Sequence, residues 1–123
     1  MSITFNRVAG LEAPTTTALT TTNATQVYAP YAGDGQTVEV IMLANVDTAN
    51  TCYVILATND GSTDTTFWTG TVAAGSTTII DSVPIMTKTD GKVRAIKATA
   101  AAANDINVTV ISSAQSRAAQ GAG

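Results

Sequence analysis

The sequence predicts an antiparallel β-sandwich of about seven or eight short strands, preceded by an extended N-terminal arm. Three observations carry that prediction. Apolar runs rich in β-branched residues recur along the chain. Turn chemistry built on Gly, Asp and Pro falls between them at roughly ten-residue spacing. No stretch supports a helix of three turns; Ala100 to Ala103 has helix propensity but is far too short to be stable alone.

In chain order, Met1 to Pro14 reads as an arm. Ile3, Phe5, Val8 and Leu11 are apolar but sit in no regular frame. Ordering such an arm costs about 1–2 kcal/mol of backbone entropy per residue. Burying its four apolar side chains returns only about 1.5–3 kcal/mol each. The arm is therefore expected to lie against a neighbouring subunit or a shell protein. Thr15 to Ala29 holds one or two short strands, lightly anchored by Leu19 and then by Val27 and Tyr28. Pro30 ends this stretch, because proline has no N–H for a ladder. Tyr31 to Gly35 is a turn.

The strongest signal is Gln36 to Asn59. It reads as two strands, QTVEVIMLAN and CYVILATN, around the polar break VDTANT, and the two are expected to be adjacent. Val38, Val40, Met42 and Ala44 share one face of the first, with Ile41 and Leu43 on the other. The second sets Cys52, Val54 and Leu56 against Tyr53, Ile55 and Ala57. Apolar residues on both faces mean that both faces are covered.

Asp60-Gly61 is a favoured hairpin pair. Thr65 to Val72 is a strand carrying Trp68, the one tryptophan, as either a core anchor or an interface anchor. A turn at Ala73-Ala74-Gly75 leads to a strand over Ser76 to Val83, with Ile79 and Ile80 on opposite faces. Ile85 to Asp90 is a connection ending in a second Asp-Gly pair. Lys92 to Thr99 and Asp105 to Ser113 are strands, the latter with Ile106, Val108 and Val110 inward. Ala114 to Gly123 has linker composition. The domain itself is expected to span residues 15–113.

The chain has 123 residues, 12% of them charged and 45% hydrophobic, which is apolar for a monomer. Its net charge of −3 argues against general nucleic-acid binding, which needs a basic surplus. Four of the six basic residues lie between Lys88 and Lys97, a solvated face or a docking patch for an acidic protein. With no histidine, His-dependent triads and His-type zinc sites are excluded. The one cysteine, Cys52, permits no intrachain disulfide and reads as a buried hydrophobe. No phosphate-binding loop occurs. Most carboxylates lie in turns, where Asp is ordinary turn chemistry. Asp60 to Asp64 offers oxygen ligands but lacks the calcium-loop spacing. No run approaches the ~20 apolar residues of a membrane helix, and the N-terminus lacks the pattern of a secretory signal. Neither enzymatic activity nor a cofactor is expected.

Tyr28 to Gly33, Ala44-Asn45, Gly75-Ser76-Thr77 and Asp90 to Val93 form a set of turns and strand edges. In style, the stretch from Val27 to Ser113 resembles the small all-β virion proteins of tailed bacteriophages. The resemblance implies a structural, oligomeric and non-enzymatic role. The leading expectation is a capsid decoration (cement) protein of the virion, assembled in the host cytoplasm. Its partners would be itself, as a homo-oligomer such as a trimer, and the major capsid protein, without nucleic acid or membrane. A neck or tail component and a tail-tip carbohydrate-binding module are the alternatives. Ile3, Phe5, Val8, Leu11, Tyr31, Trp68, Lys88 and Lys92 are the candidate interface residues.

Overall fold

A computed structural model of the chain describes residues 13–29, 36–81, 85–86, 88–89 and 92–114. Those residues are all-β, with no helix among them. The eight principal strands are β1 (Thr15–Ala18), β2 (Thr25–Tyr28), β3 (Gln36–Asn45), β4 (Cys52–Asn59), β5 (Asp64–Val72), β6 (Thr77–Ile80), β10 (Ala95–Ala100) and β11 (Ile106–Ala114). Three two-residue ladder segments complete the order: β7 (Ile85–Met86), β8 (Lys88–Thr89) and β9 (Lys92–Val93).

The principal strands form two antiparallel sheets, β1-β11-β3-β6, with β7 also on β3, and β2-β10-β4-β5. The pairing is nested. Innermost, β4 pairs β5; outside that β3 pairs β6, then β2 pairs β10, then β1 pairs β11. Two further ladders, β11 on β3 and β10 on β4, roll this long folded-back ribbon into a sandwich. Eight strands in this order make a jelly roll. The sandwich and its strand number agree with the sequence prediction.

The expected adjacency of the strands from Gln36 and Thr51 is overturned. β3 lies in one sheet and β4 in the other. The break VDTANT is too long for a tight hairpin loop and suits a crossing between sheets about 10 Å apart. Asn45 fixes that crossing. Its Nδ2 donates to the Asn50 carbonyl at 2.9 Å and the Val72 carbonyl at 3.1 Å, and its Oδ1 accepts from the Asp47 N–H at 3.0 Å. Asn45 is only 3% exposed, so these bonds satisfy a polar side chain that water does not reach.

The face assignment of β3 is corrected too. Ile111 pairs with Val40 and Ser112 with Val38, so Glu39 is the extra residue of a bulge. The bulge resets the alternation. Val38 therefore points inward with Ile41 and Leu43, all buried, and leaves Val40 and Met42 on the outer face. A second bulge makes Phe67 the extra residue of β5, because Leu56 pairs with Trp68 and Ala57 with Thr66.

The core fills the space between the sheets. Val54 and Leu56 from β4, Ile96 and Ala98 from β10, and Ile106, Val108 and Val110 from β11 are all buried. Each fully buried branched side chain contributes about 1.5–3 kcal/mol. Leu19, just past β1, is fully buried, a firmer anchor than its sparse surroundings in sequence suggest. Its N–H donates to the Ile106 carbonyl at 2.9 Å and its carbonyl accepts from the Asn104 N–H at 2.8 Å. Asn104 takes a φ of 68°, a left-handed turn that Asn tolerates.

Candidate interaction surface

Among the described residues, no group of three or more His, Cys, Asp or Glu side chains could hold a metal ion. The Asp60 to Asp64 loop shows what its oxygens do. Asp60 Oδ1 accepts from the Thr63 N–H at 2.9 Å and the Ser62 N–H at 3.1 Å. Asn59 Oδ1 accepts from the Gly61 N–H at 2.8 Å, and its Nδ2 donates to Asp64. Gly61 adopts a φ of 107°, which a side chain would strain. This is hairpin-turn chemistry between β4 and β5, with the carboxylates bonded to the turn itself. The Thr63 and Ser62 N–H donors hold the Asp60 carboxyl below its ordinary pKa. The same arrangement recurs at Asp47, where the Ala49 N–H and then the Asn50 side chain lower it. Cys52 is 2% exposed within the core.

What remains are surfaces. The two outer faces of the sandwich differ in character. That of the β2-β10-β4-β5 sheet carries Tyr53, exposed at 46%, half-buried Ile55, and a field of threonines. Lys97 Nζ stands 3.9 Å from Asp64 Oδ1 at its edge. This surface is mixed and partly charged.

The outer face of the β1-β11-β3-β6 sheet is apolar at its centre. Met42 pairs with Ile79 across β3 and β6, and Val40 pairs with Ile111 across β3 and β11. Ile79 is 59% exposed, and Val40, Met42 and Ile111 are half-buried. A threonine border flanks them, where Thr16 Oγ1 and Thr109 Oγ1 share a hydrogen bond of 3.0 Å. The four principal strands of this sheet contain a single ionisable residue, Glu39 at the bulge, which accepts from Ser113 Oγ at 2.7 Å.

The residues expected from sequence to form an interface are only partly described. Ile3, Phe5, Val8, Leu11 and Tyr31 lie outside the described residues. Lys88 and Lys92 fall in the small β8–β9 ladder, where Lys88 pairs with Val93 and Thr89 with Lys92. Trp68 is half-buried and packs against the core from β5. Its ring lies over Gly70, where a Cβ would come within 2.7 Å of the indole. The apolar cluster on the first sheet was not assembled by sequence reasoning. Its signal was present as out-of-phase neighbours: Val40-Ile41, Ile79-Ile80 and Val110-Ile111 each place one apolar residue inward and one outward.

Neither a protein-family model nor a curated relative matches the chain. A solved structure of Bacillus endospore appendages, described as a family of disulfide-linked pili, is similar to it. The identity is 16%, the match covers 94% of this chain and 96% of that chain, and the TM-score is 0.50. The likeness is one of fold, spanning nearly the whole of both chains.

Proposed function

We propose that this chain is a non-enzymatic structural subunit of an assembled particle, and specifically a bacteriophage decoration protein that cements the capsid shell. The observation that carries the structural reading is the nearly charge-free apolar outer face on a sandwich whose Asp47 and Asp60 carboxylates are bonded to their own turns. Its partners in this reading are further copies of itself and the major capsid protein. The fold likeness to an appendage protein supports a building-block role and favours a second reading, a subunit of a filament. Linkage by disulfides does not carry over in that reading. The one cysteine is buried, so its thiol is out of reach of a neighbour while the sandwich stays closed. A carbohydrate-binding role finds less support: Tyr53 is exposed on an outer face while Trp68 packs against the core, so the two form no common stacking platform.

Electron microscopy of the particle that contains this chain is the test. Density on the icosahedral lattice supports the decoration reading, density on the tail axis replaces it with a neck or tail role, and a filament supports the second reading. Deleting Met1 to Pro14 refines it. The isolated sandwich should stay folded and attach more weakly to the particle; unfolding of the isolated protein would assign the arm to the domain's own core.

A further inference from the structure

We infer that the outer face of the β1-β11-β3-β6 sheet is the seat of a second copy of this chain, packed sheet on sheet through Val40, Met42, Ile79 and Ile111. The inference rests on the structural-subunit reading and adds the surface and the occupant. Ile79, at 59% exposure the most exposed large apolar side chain among the described residues, sits directly beside Met42. Val40 lies two residues along β3 from Met42 and opposite Ile111, so the four form one contiguous cluster.

Three features select a copy of the chain over an unrelated partner. First, recognition of a different protein draws on complementary charge. The strands of this sheet supply only Glu39, and its carboxylate is already bonded to Ser113. Second, a flat face of Val, Ile, Met and Thr is complementary to itself. A two-fold axis lying between two such faces sets cluster on cluster at the ~10 Å spacing that the chain already uses between its own sheets. Third, the area is of the right order for a self-pair. Strands of four, nine, ten and four residues, at ~3.3 Å per residue and ~4.8 Å apart, present roughly 430 Å² of flat face per copy, so a pair buries about 860 Å², above most adventitious packing contacts and close to the ~1,000 Å² of a specific interface. Among the described residues, the opposite outer face sets Tyr53 and Ile55 among threonines, with the Lys97–Asp64 pair at its edge.

The test is native mass spectrometry with sedimentation of the full chain at micromolar concentration. The unaltered protein should contain dimers or even-numbered multiples. Ile79→Glu, which places a charge at a position already largely in water, should leave the thermal melt unchanged and weaken association at least about tenfold. Ile79→Thr, which keeps a good strand former, should weaken it by a smaller factor and covers the case in which the glutamate perturbs folding. Tyr53→Glu on the opposite face should leave association unaltered. Wild-type association by both Ile79 variants overturns the inference while the oligomeric reading stands. So does association that survives them and disappears only when Met1 to Pro14 are deleted, which would make the arm the linker. A protein that stays monomeric, with no self-contact in its particle, overturns both.

Discussion

Asn45 is the side chain on which one end of the sandwich turns. Its two donors and one acceptor hold the loop that crosses between sheets and the end of β5. Asn45→Ala leaves the Asn50 and Val72 carbonyls and the Asp47 N–H without these partners. The expected loss is about 2–3 kcal/mol, a fall in Tm of roughly 8–12 °C for a domain of this size. Thermal unfolding followed by circular dichroism checks it. Asp47 and Asp60 add an acid limb to stability. Both carboxyls are held below their ordinary value by hydrogen bonds present in the folded chain, led by the Ala49 N–H at Asp47 and the Thr63 N–H at Asp60. A folded pKa below the unfolded one contributes stability that is present above the ordinary carboxylate pKa and lost as pH falls through the folded value. Tm should therefore be steady near neutrality and drop below about pH 4. Replacing both residues by Asn should flatten that drop.

At the level of the strand, legibility followed the simplicity of the alternation. The strand from Asp105 was read correctly because Ile106, Val108 and Val110 alternate inward without interruption, and all three are buried. The Asp60-Gly61 hairpin was legible because the chemistry of its turn is local. β3 was misread where Glu39 bulges, since the extra residue is defined only by its partner strand β11. The pairing of β3 with β4 was misread for a related reason. Both are central strands with a ladder on each side, and an apolar run says that it has neighbours without saying which ones. The outer cluster was illegible as a cluster because its members come from three strands far apart in sequence. Edge strand β5 offers a direct check on its own packing. In Gly70→Val the new side chain meets the Trp68 ring, already 2.7 Å from where a Cβ would stand. The indole must swing away from the core. Emission from this one tryptophan should shift to longer wavelength, with a stability loss of about 1–3 kcal/mol. Unchanged emission would mean that the ring does not rest on Gly70.

For the molecule as a whole, the buried position of Cys52 makes its thiol a reporter of the closed sandwich. Alkylation in native buffer should be slow and should follow the rate of unfolding, while in denaturant it should be complete within the time of mixing. Electrophoresis without reductant should show no covalent dimer. Rapid native labelling would mean that β4 separates from its neighbours far more readily than a core strand should. The nested pairing also bears on the sequence of events by which the chain closes. Once β4 and β5 meet across the short turn at Asp60, the ends of β3 and β6 are already near each other, and each outer pair in turn inherits a shortened loop. Such a chain can zip from its midpoint outward, so that the union of β1 with β11 comes last in time. β1 carries only Thr15, Thr16, Thr17 and Ala18, none of them a large apolar side chain. The latch that completes the wrap is thus its lightest element.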